Sequence, residues 1–155
     1  LKNWLNFLRN WRNRKNKSRE GVFMFVYKRK IYGYLCDIYG HLNNSSYLQI
    51  YEEARSEALI DMGLPISKLL ESGFHIYLTK VELYYKSGVP NDEVISVKSS
   101  IIKMNRMRAT WKQQIYDEAG NLCNEAFVEG VFIKNGKPAR IDKDIYEIFE
   151  KYYEN

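Results

Sequence analysis

The 155-residue sequence has only two cysteines, Cys36 and Cys123, and neither lies in a CxxC or Cys/His spacing. That excludes a disulfide-stapled scaffold and the usual zinc patterns, and it predicts a reducing compartment. No apolar run approaches the roughly 18 to 20 residues of a bilayer-spanning helix, so the folded body is expected to be soluble. Without a glycine-rich phosphate loop or a cluster of ligating side chains, there is no signal for a nucleotide, flavin, nicotinamide or metal cofactor. Internal repeats and long low-complexity tracts are missing too. Also missing is a basic stripe on the body of the chain, although the net charge is +5. Ten of the 24 Lys/Arg and one of the 19 Asp/Glu fall in residues 1–30, which leaves the remainder with a net charge of −4. A nucleic-acid-binding domain would carry its positive charge on the fold itself, so nucleic acid is not an expected partner.

What is present is 45% hydrophobic and 15% aromatic residues, enough for one compact core but not comfortably for two. The chain divides into a basic amphipathic extension, residues 1–20, and one domain, residues 21–155. In the extension Leu1, Trp4, Leu5, Leu8 and Trp11 recur at helical spacing, with Lys2, Arg9 and Arg12 interleaved and a basic polar run over 14–19 behind them. Three roles stay open for this short helix and linker. It packs on the domain or a second subunit, it makes a peripheral membrane contact, or it is the remnant of a targeting sequence.

The domain begins with a predicted strand over residues 22–34, rich in Val, Phe, Ile and Tyr. A loop over 37–44 follows. Tyr47, Ile50, Tyr51, Ala54, Ala58 and Met62 then mark one face of a helix of about four turns. Ser46 with Gln49 resembles a capping box at its start, and Gly63 and Pro65 stop it. After a short helical stretch near 66–71, four strands are predicted over 74–85, 94–103, 107–116 and 122–134. Short turn-forming segments separate them, which implies an antiparallel meander. A terminal helix is expected over 142–153, with Ile145, Ile148, Phe149 and Tyr152 on one face.

The loop and helix entry read Asp37-Ile38-Tyr39-Gly40-His41-Leu42-Asn43-Asn44-Ser45-Ser46-Tyr47, followed by Glu52-Glu53-Ala54-Arg55. This resembles the signature of hotdog-fold acyl-CoA thioesterases of the 4-hydroxybenzoyl-CoA thioesterase type. There an Asp three residues before a Gly precedes the central helix, and an Asn/Tyr stretch leads to Glu-x-Ala-Arg. The His41-x-Asn43-Asn44-x-x-Tyr47 portion is also similar to plant acyl-ACP thioesterases. The resemblance covers roughly residues 23–141, by element order and motif. It implies an α+β hotdog fold, a five- or six-stranded antiparallel sheet wrapped around the long helix. It further implies a homodimer joined edge to edge, or a dimer of dimers. Thioester sites would lie at the interface, where CoA or acyl carrier protein presents the acyl group.

Asp37 is the leading catalytic candidate. Thioester hydrolysis needs a group that attacks or activates water, and donors for the oxyanion that develops. A carboxylate just before a helix can meet the first need. Backbone N–H groups of Asn44, Ser45, Ser46 and Tyr47, at the positive end of the helix dipole, can meet the second. The competing reading is that Asp37 only caps a turn.

His41 occupies the place of a catalytic His in the acyl-ACP thioesterases, but the Asn that should stand two residues before it is Tyr39 here. The alternative is that His41 shapes the loop or bonds across the dimer. Asn43 and Asn44 orient the carboxylate or the attacking water, or they stabilise the loop. Tyr47 is expected in the core with its hydroxyl toward the site. Arg55 is assigned a structural ion pair ahead of phosphate steering, and Glu53 is a reserve base. Lys103, Arg106 and Arg108 cluster at a turn where this fold often holds CoA phosphates, the alternative being a solvated charged turn.

The expected function is hydrolysis of an acyl-CoA to acid and CoA, without cofactor or metal. The alternatives are an acyl-ACP thioesterase, a non-hydrolytic acyl-CoA or acyl carrier protein binder, and a hotdog dehydratase, against which the Asp37 motif argues. The expected location is the cytoplasm or an organellar matrix rather than the exterior.

Overall fold

The computed structural model describes residues 16–17 and 23–153. The expected amphipathic helix over residues 1–11 lies outside the described residues, and within the expected linker Asn16–Lys17 forms a short strand, β1. The chain continues through β2 (Phe23–Lys30), a 3₁₀ turn (Gly33–Leu35), α1 (Ser46–Asp61), α2 (Ile66–Glu71) and β3 (His75–Tyr85). It closes with β4 (Val94–Met104), β5 (Arg108–Tyr116), β6 (Leu122–Lys134), β7 (Lys137–Pro138) and α3 (Lys143–Glu150). The strands form one antiparallel sheet in the order β1-β2-β4-β5-β6-β3, with β7 paired to β6. This is the expected α+β hotdog arrangement, with seven strands because two very short ones join the five long ones, but the expected four-strand meander holds only for β4, β5 and β6, since β3 pairs with β6 at the far edge and β4 with β2.

The predicted buried face of α1 holds: Tyr47, Ile50, Tyr51, Ala54 and Ala58 are all buried, with Met62 just beyond the helix. The small Ala54 and Ala58 let the helix lie close to the sheet. Along β5 burial alternates with period two, turning Ala109, Trp111, Gln113 and Ile115 inward. Phe149 and Ile145 of α3 are buried as expected, and Phe149 meets Phe132 edge-on at 5.9 Å. The hairpin turns follow their chemistry. Asn105 Oδ1 accepts the N–H groups of Met107 and Arg108 at 2.8 and 2.9 Å between β4 and β5. Asn135 and Gly136 both adopt left-handed φ, 52° and 72°, between β6 and β7.

Two local expectations fail. The first long strand ends at Lys30 rather than at residue 34: the Ile31 N–H donates to the Glu93 carbonyl and the Ile31 carbonyl accepts the Asp92 N–H, both at 2.8 Å, and the chain then turns through Gly33–Leu35. Nor does Ser46 form a capping box with Gln49. Ser45 holds the N-cap position without a side-chain cap bond, and Ser46, already helical, donates its hydroxyl to the Leu35 carbonyl at 3.3 Å.

Strand β3 runs the length of the molecule at the sheet's edge. Its Tyr85 end touches the start of α1, where the Tyr85 hydroxyl donates to the Asn44 carbonyl at 3.1 Å. Its His75 end follows directly on α2. Among the described residues β3 pairs only with β6. It leaves Tyr77, Leu78, Val81, Tyr84 and Tyr85 between 37% and 59% exposed. A long apolar edge of this kind is what folded proteins normally cover.

Candidate active site

The Asp37 loop is a small hairpin. Cys36 and Leu42 form an isolated antiparallel bridge, the Asn43 N–H bonds the Leu35 carbonyl at 2.9 Å, and the Asp37 N–H bonds the His41 carbonyl at 2.9 Å. Gly40 closes the tip with φ 78°, a left-handed value that favours glycine. Asp37 therefore sits at the tip of the hairpin, opposite His41, while the second arm runs on through Asn43 into α1. One carboxylate oxygen, Oδ1, accepts the Tyr39 N–H at 2.9 Å. The turn-capping reading of Asp37 thus holds for one oxygen, and Oδ2 has no hydrogen bond among the described residues.

The helix entry is organised differently from expectation. Asn43 Oδ1 accepts both the N–H of Ser45, at 3.0 Å, and its hydroxyl, at 2.8 Å, while the Asn43 carbonyl takes the Ser46 N–H at 2.9 Å. Two of the four amides expected to meet a substrate are therefore occupied by Asn43, which stabilises the loop through its Oδ1. The Asn44 N–H makes no hydrogen bond among the described residues, and Asn44 itself is exposed. Tyr47 is buried, with its ring edge-on to Tyr85 at 5.3 Å, and burial pushes its hydroxyl pKa up to about 12.

His41 is exposed, and its ring packs on Gly88, where an added Cβ would lie 2.7 Å from the imidazole Cδ2. The His41–Pro90 bridge and the Leu42 to Val89 bond at 2.7 Å fasten this side of the hairpin to the 88–90 turn. The reserve base Glu53 accepts a hydrogen bond from Tyr27 at 3.0 Å and pairs with Arg29, so its carboxylate ties α1 to β2.

The basic turn does not join Asp37 within one chain. Arg108 pairs opposite Val131 near the His75 end of the sheet, whereas Asp37 sits by the Tyr85 end. Arg106 donates through Nε and Nη2 to the Ile141 carbonyl at 2.9 and 2.6 Å, fastening the approach to α3. Arg108 pairs with Glu129 at 2.8 Å and Lys103 stays exposed. Of the three expected phosphate contacts, Arg106 is thus committed to backbone and Arg108 to a carboxylate.

Sequence reasoning missed a second feature. A cavity of about 460 Å³ opens between α1, α2 and the His75 end of β3. Leu69, Phe74, Trp111, Phe132 and Phe149 give it apolar walls, and Arg55 contributes a cation. Its floor is low because Ala109 and Gly130 face each other on β5 and β6. Behind Arg55 runs a buried polar chain. Arg55 Nη1 donates to Gln113 Oε1 at 2.7 Å, and Gln113 Nε2 donates to the Tyr51 carbonyl at 3.0 Å and to Ser99 Oγ at 2.9 Å. The Tyr51 hydroxyl donates to Asn124 Oδ1 at 2.6 Å. The available signal was polar residues on apolar faces, since Gln113 and Asn124 both interrupt the inward rows of their strands. Arg55 makes no ion pair among the described residues, which corrects the role expected for it.

The family model for the thioesterase-like superfamily matches residues 33–149. A curated protein of Aquifex aeolicus (strain VF5), whose name places it among esterases only provisionally, is 29% identical over 126 residues, spanning 81% of this chain and 98% of its own. The crystal structure of a hypothetical protein from Aquifex aeolicus is similar with a TM-score of 0.76 at 29% identity, covering 80% of this chain and 98% of that one. The DHNA-CoA thioesterase from Staphylococcus aureus gives 0.78 at 24% identity, covering 83% and 89%. The 1,4-dihydroxy-2-naphthoyl-CoA thioesterase from Synechocystis gives 0.74 at 20%, covering 81% and 94%. At these identities the likeness to the last two is one of fold.

Proposed function

This chain belongs to the thioesterase-like superfamily, and on that premise we propose that it hydrolyses an acyl-CoA thioester to the free acid and CoA, with Asp37 as the catalytic carboxylate. The observation that carries this reading is the hairpin itself. It holds at its tip a carboxylate with one anchored and one available oxygen, and its second arm runs directly into the entry of α1, where the Asn44 N–H is unbonded among the described residues.

The Asn44 N–H, backed by the positive end of the α1 dipole, holds the carbonyl oxygen as it gains negative charge. Asp37 Oδ2 works in one of two ways. It attacks the carbonyl carbon, expelling CoA thiolate and leaving an acyl-Asp37 anhydride that water cleaves, or it takes a proton from a water that attacks instead. Either route consumes one water and yields one acid and one thiol. His41 lines the loop at the mouth and holds its shape against Gly88. Acyl carrier protein is the alternative carrier of the acyl group.

The working unit in this proposal is a homodimer built by adding the β3 edge of one copy antiparallel to that of a second. The unpaired apolar edge supports it. Antiparallel addition sets the Tyr85 end of one copy beside the His75 end of the other, so the Asp37 loop meets the second copy's cavity and its basic turn. Lys103 is then the cation left for a CoA phosphate.

The test is thiol release from a panel of acyl-CoA and acyl carrier protein thioesters, with wild type and Asp37→Asn. Loss of a general base or nucleophile should lower kcat by roughly 10² to 10⁴-fold, with melting temperature and elution volume unchanged. A substitution that leaves kcat intact, or a panel that releases no thiol, refutes the proposal.

A further inference from the structure

The cavity beside Arg55 carries an inference about the substrate, and it rests on the thioesterase reading above. The Arg55 side chain is half-buried, and that burial pulls its pKa down. A guanidinium has five N–H donors, and among the described residues Gln113 Oε1 is the acceptor that meets them. Among the described residues no carboxylate lies within ion-pair distance of it; Glu52, one turn earlier on the same wall and exposed at the rim, lends it favourable charge without pairing. Most cations among the described residues are solvated or paired, as Arg29 is with Glu53 and Arg108 with Glu129. Arg55 instead sets a half-buried charge with spare donors in a cavity whose lining is mostly apolar, with Glu52, Ser56 and His75 as its other polar members, an arrangement that an incoming anion would complete.

We propose that this cavity takes an acyl group bearing a second carboxylate at its far end, and that Arg55 binds that carboxylate, making it a specificity-determining residue. The apolar walls hold the methylene chain while the guanidinium offers two parallel donors to the terminal carboxylate. A volume of about 460 Å³ lies in the range of small-ligand pockets and has room for a chain of roughly six to ten carbons. Residues 75–78 of β3 line the cavity, at the end that the proposed dimer sets beside the Asp37 loop of the other copy. The thioester stays at the mouth and the second carboxylate reaches inward.

The experiment compares kcat/KM for the mono-CoA thioesters of straight-chain dicarboxylic acids of six, eight and ten carbons with those of the unbranched monocarboxylic acids of equal length. At the best length the dicarboxylic thioester should be preferred by roughly tenfold or more, the scale of one charge-assisted contact. Arg55→Met should abolish that preference and Arg55→Lys should keep part of it, read as a ratio so that a general loss of activity cancels. Hydrolysis of the panel with no dicarboxylic preference at any length overturns this inference and leaves the thioesterase reading standing. If no thioester is cleaved, that reading falls, and calorimetric titration of the free eight-carbon diacid against the monoacid decides the inference. Saturable diacid binding, lost in Arg55→Met, upholds it; equal or absent binding overturns it.

Discussion

Replacing Gln113 with Leu should be among the most damaging single changes available in the sheet. The side chain has no solvent exposure and makes three bonds, to Arg55 at 2.7 Å, to the Tyr51 carbonyl at 3.0 Å and to Ser99 at 2.9 Å. Leu matches its volume, so little cavity forms and the cost is polar. A hydrogen bond to a charged partner contributes about 1.5 to 3 kcal/mol and each neutral one about 1 kcal/mol, which puts the loss at about 3.5 to 5 kcal/mol. Ser99→Ala removes one neutral bond and should cost about 1 kcal/mol. Urea unfolding at constant m gives both values. The double variant Arg55→Met/Gln113→Leu removes the charged bond from both ends. It should therefore be more stable than the sum of the singles by about 1.5 to 3 kcal/mol. A Gln113→Leu loss under about 1 kcal/mol, or strict additivity in the cycle, would refute the claim that Gln113 is the hub joining α1 to β4 and β5.

Val81→Glu places a carboxylate on the unpaired β3 edge, where two copies would bring like charges together. Sedimentation should show a dissociation constant raised by about 30- to 100-fold, the equivalent of roughly 2 to 3 kcal/mol, with thioester turnover falling in step with the dimer fraction. An unchanged molecular mass would remove the edge-to-edge proposal. At the β5–β6 turn, Asn121 donates its N–H and its side-chain amide to the Asp117 carboxylate at 2.7 and 2.9 Å, bonds that hold the Asp117 pKa below its usual value. A carboxyl depressed in the folded state adds stability above its unfolded pKa and loses it as pH falls through the lower folded value. The stability gap between wild type and Asp117→Asn should therefore be widest near neutrality and close below about pH 4, as followed by urea midpoints over a pH series. A gap that does not change with pH would contradict that coupling.

The sequence alone determined the order of the long elements, the buried face of α1 and the Asp37 loop, because each is a local matter. Periodicity marks Tyr47, Ile50, Tyr51, Ala54 and Ala58, and the Asp37–Tyr47 motif is contiguous. It also supplied the hotdog fold, through a resemblance carried by that one motif. Which side chains spend their bonds on the fold was decided only in three dimensions. Asn43 takes the amides of Ser45 and Ser46, Arg106 goes to the Ile141 carbonyl, and Glu53 goes to Arg29 and Tyr27. Each acceptor or donor lies on another element or is chosen by backbone geometry, so no spacing rule encodes it. The same holds for the separation of Asp37 from the basic turn. An antiparallel strand of eleven residues puts its two ends more than 30 Å apart, at about 3.4 Å per residue, and only the tertiary sheet shows that the two sites sit at opposite ends. The Arg55 cavity is the clearest case. It exists because Ala109, Gly130 and Arg55 come from three elements far apart in sequence, and the space they leave belongs to none of them.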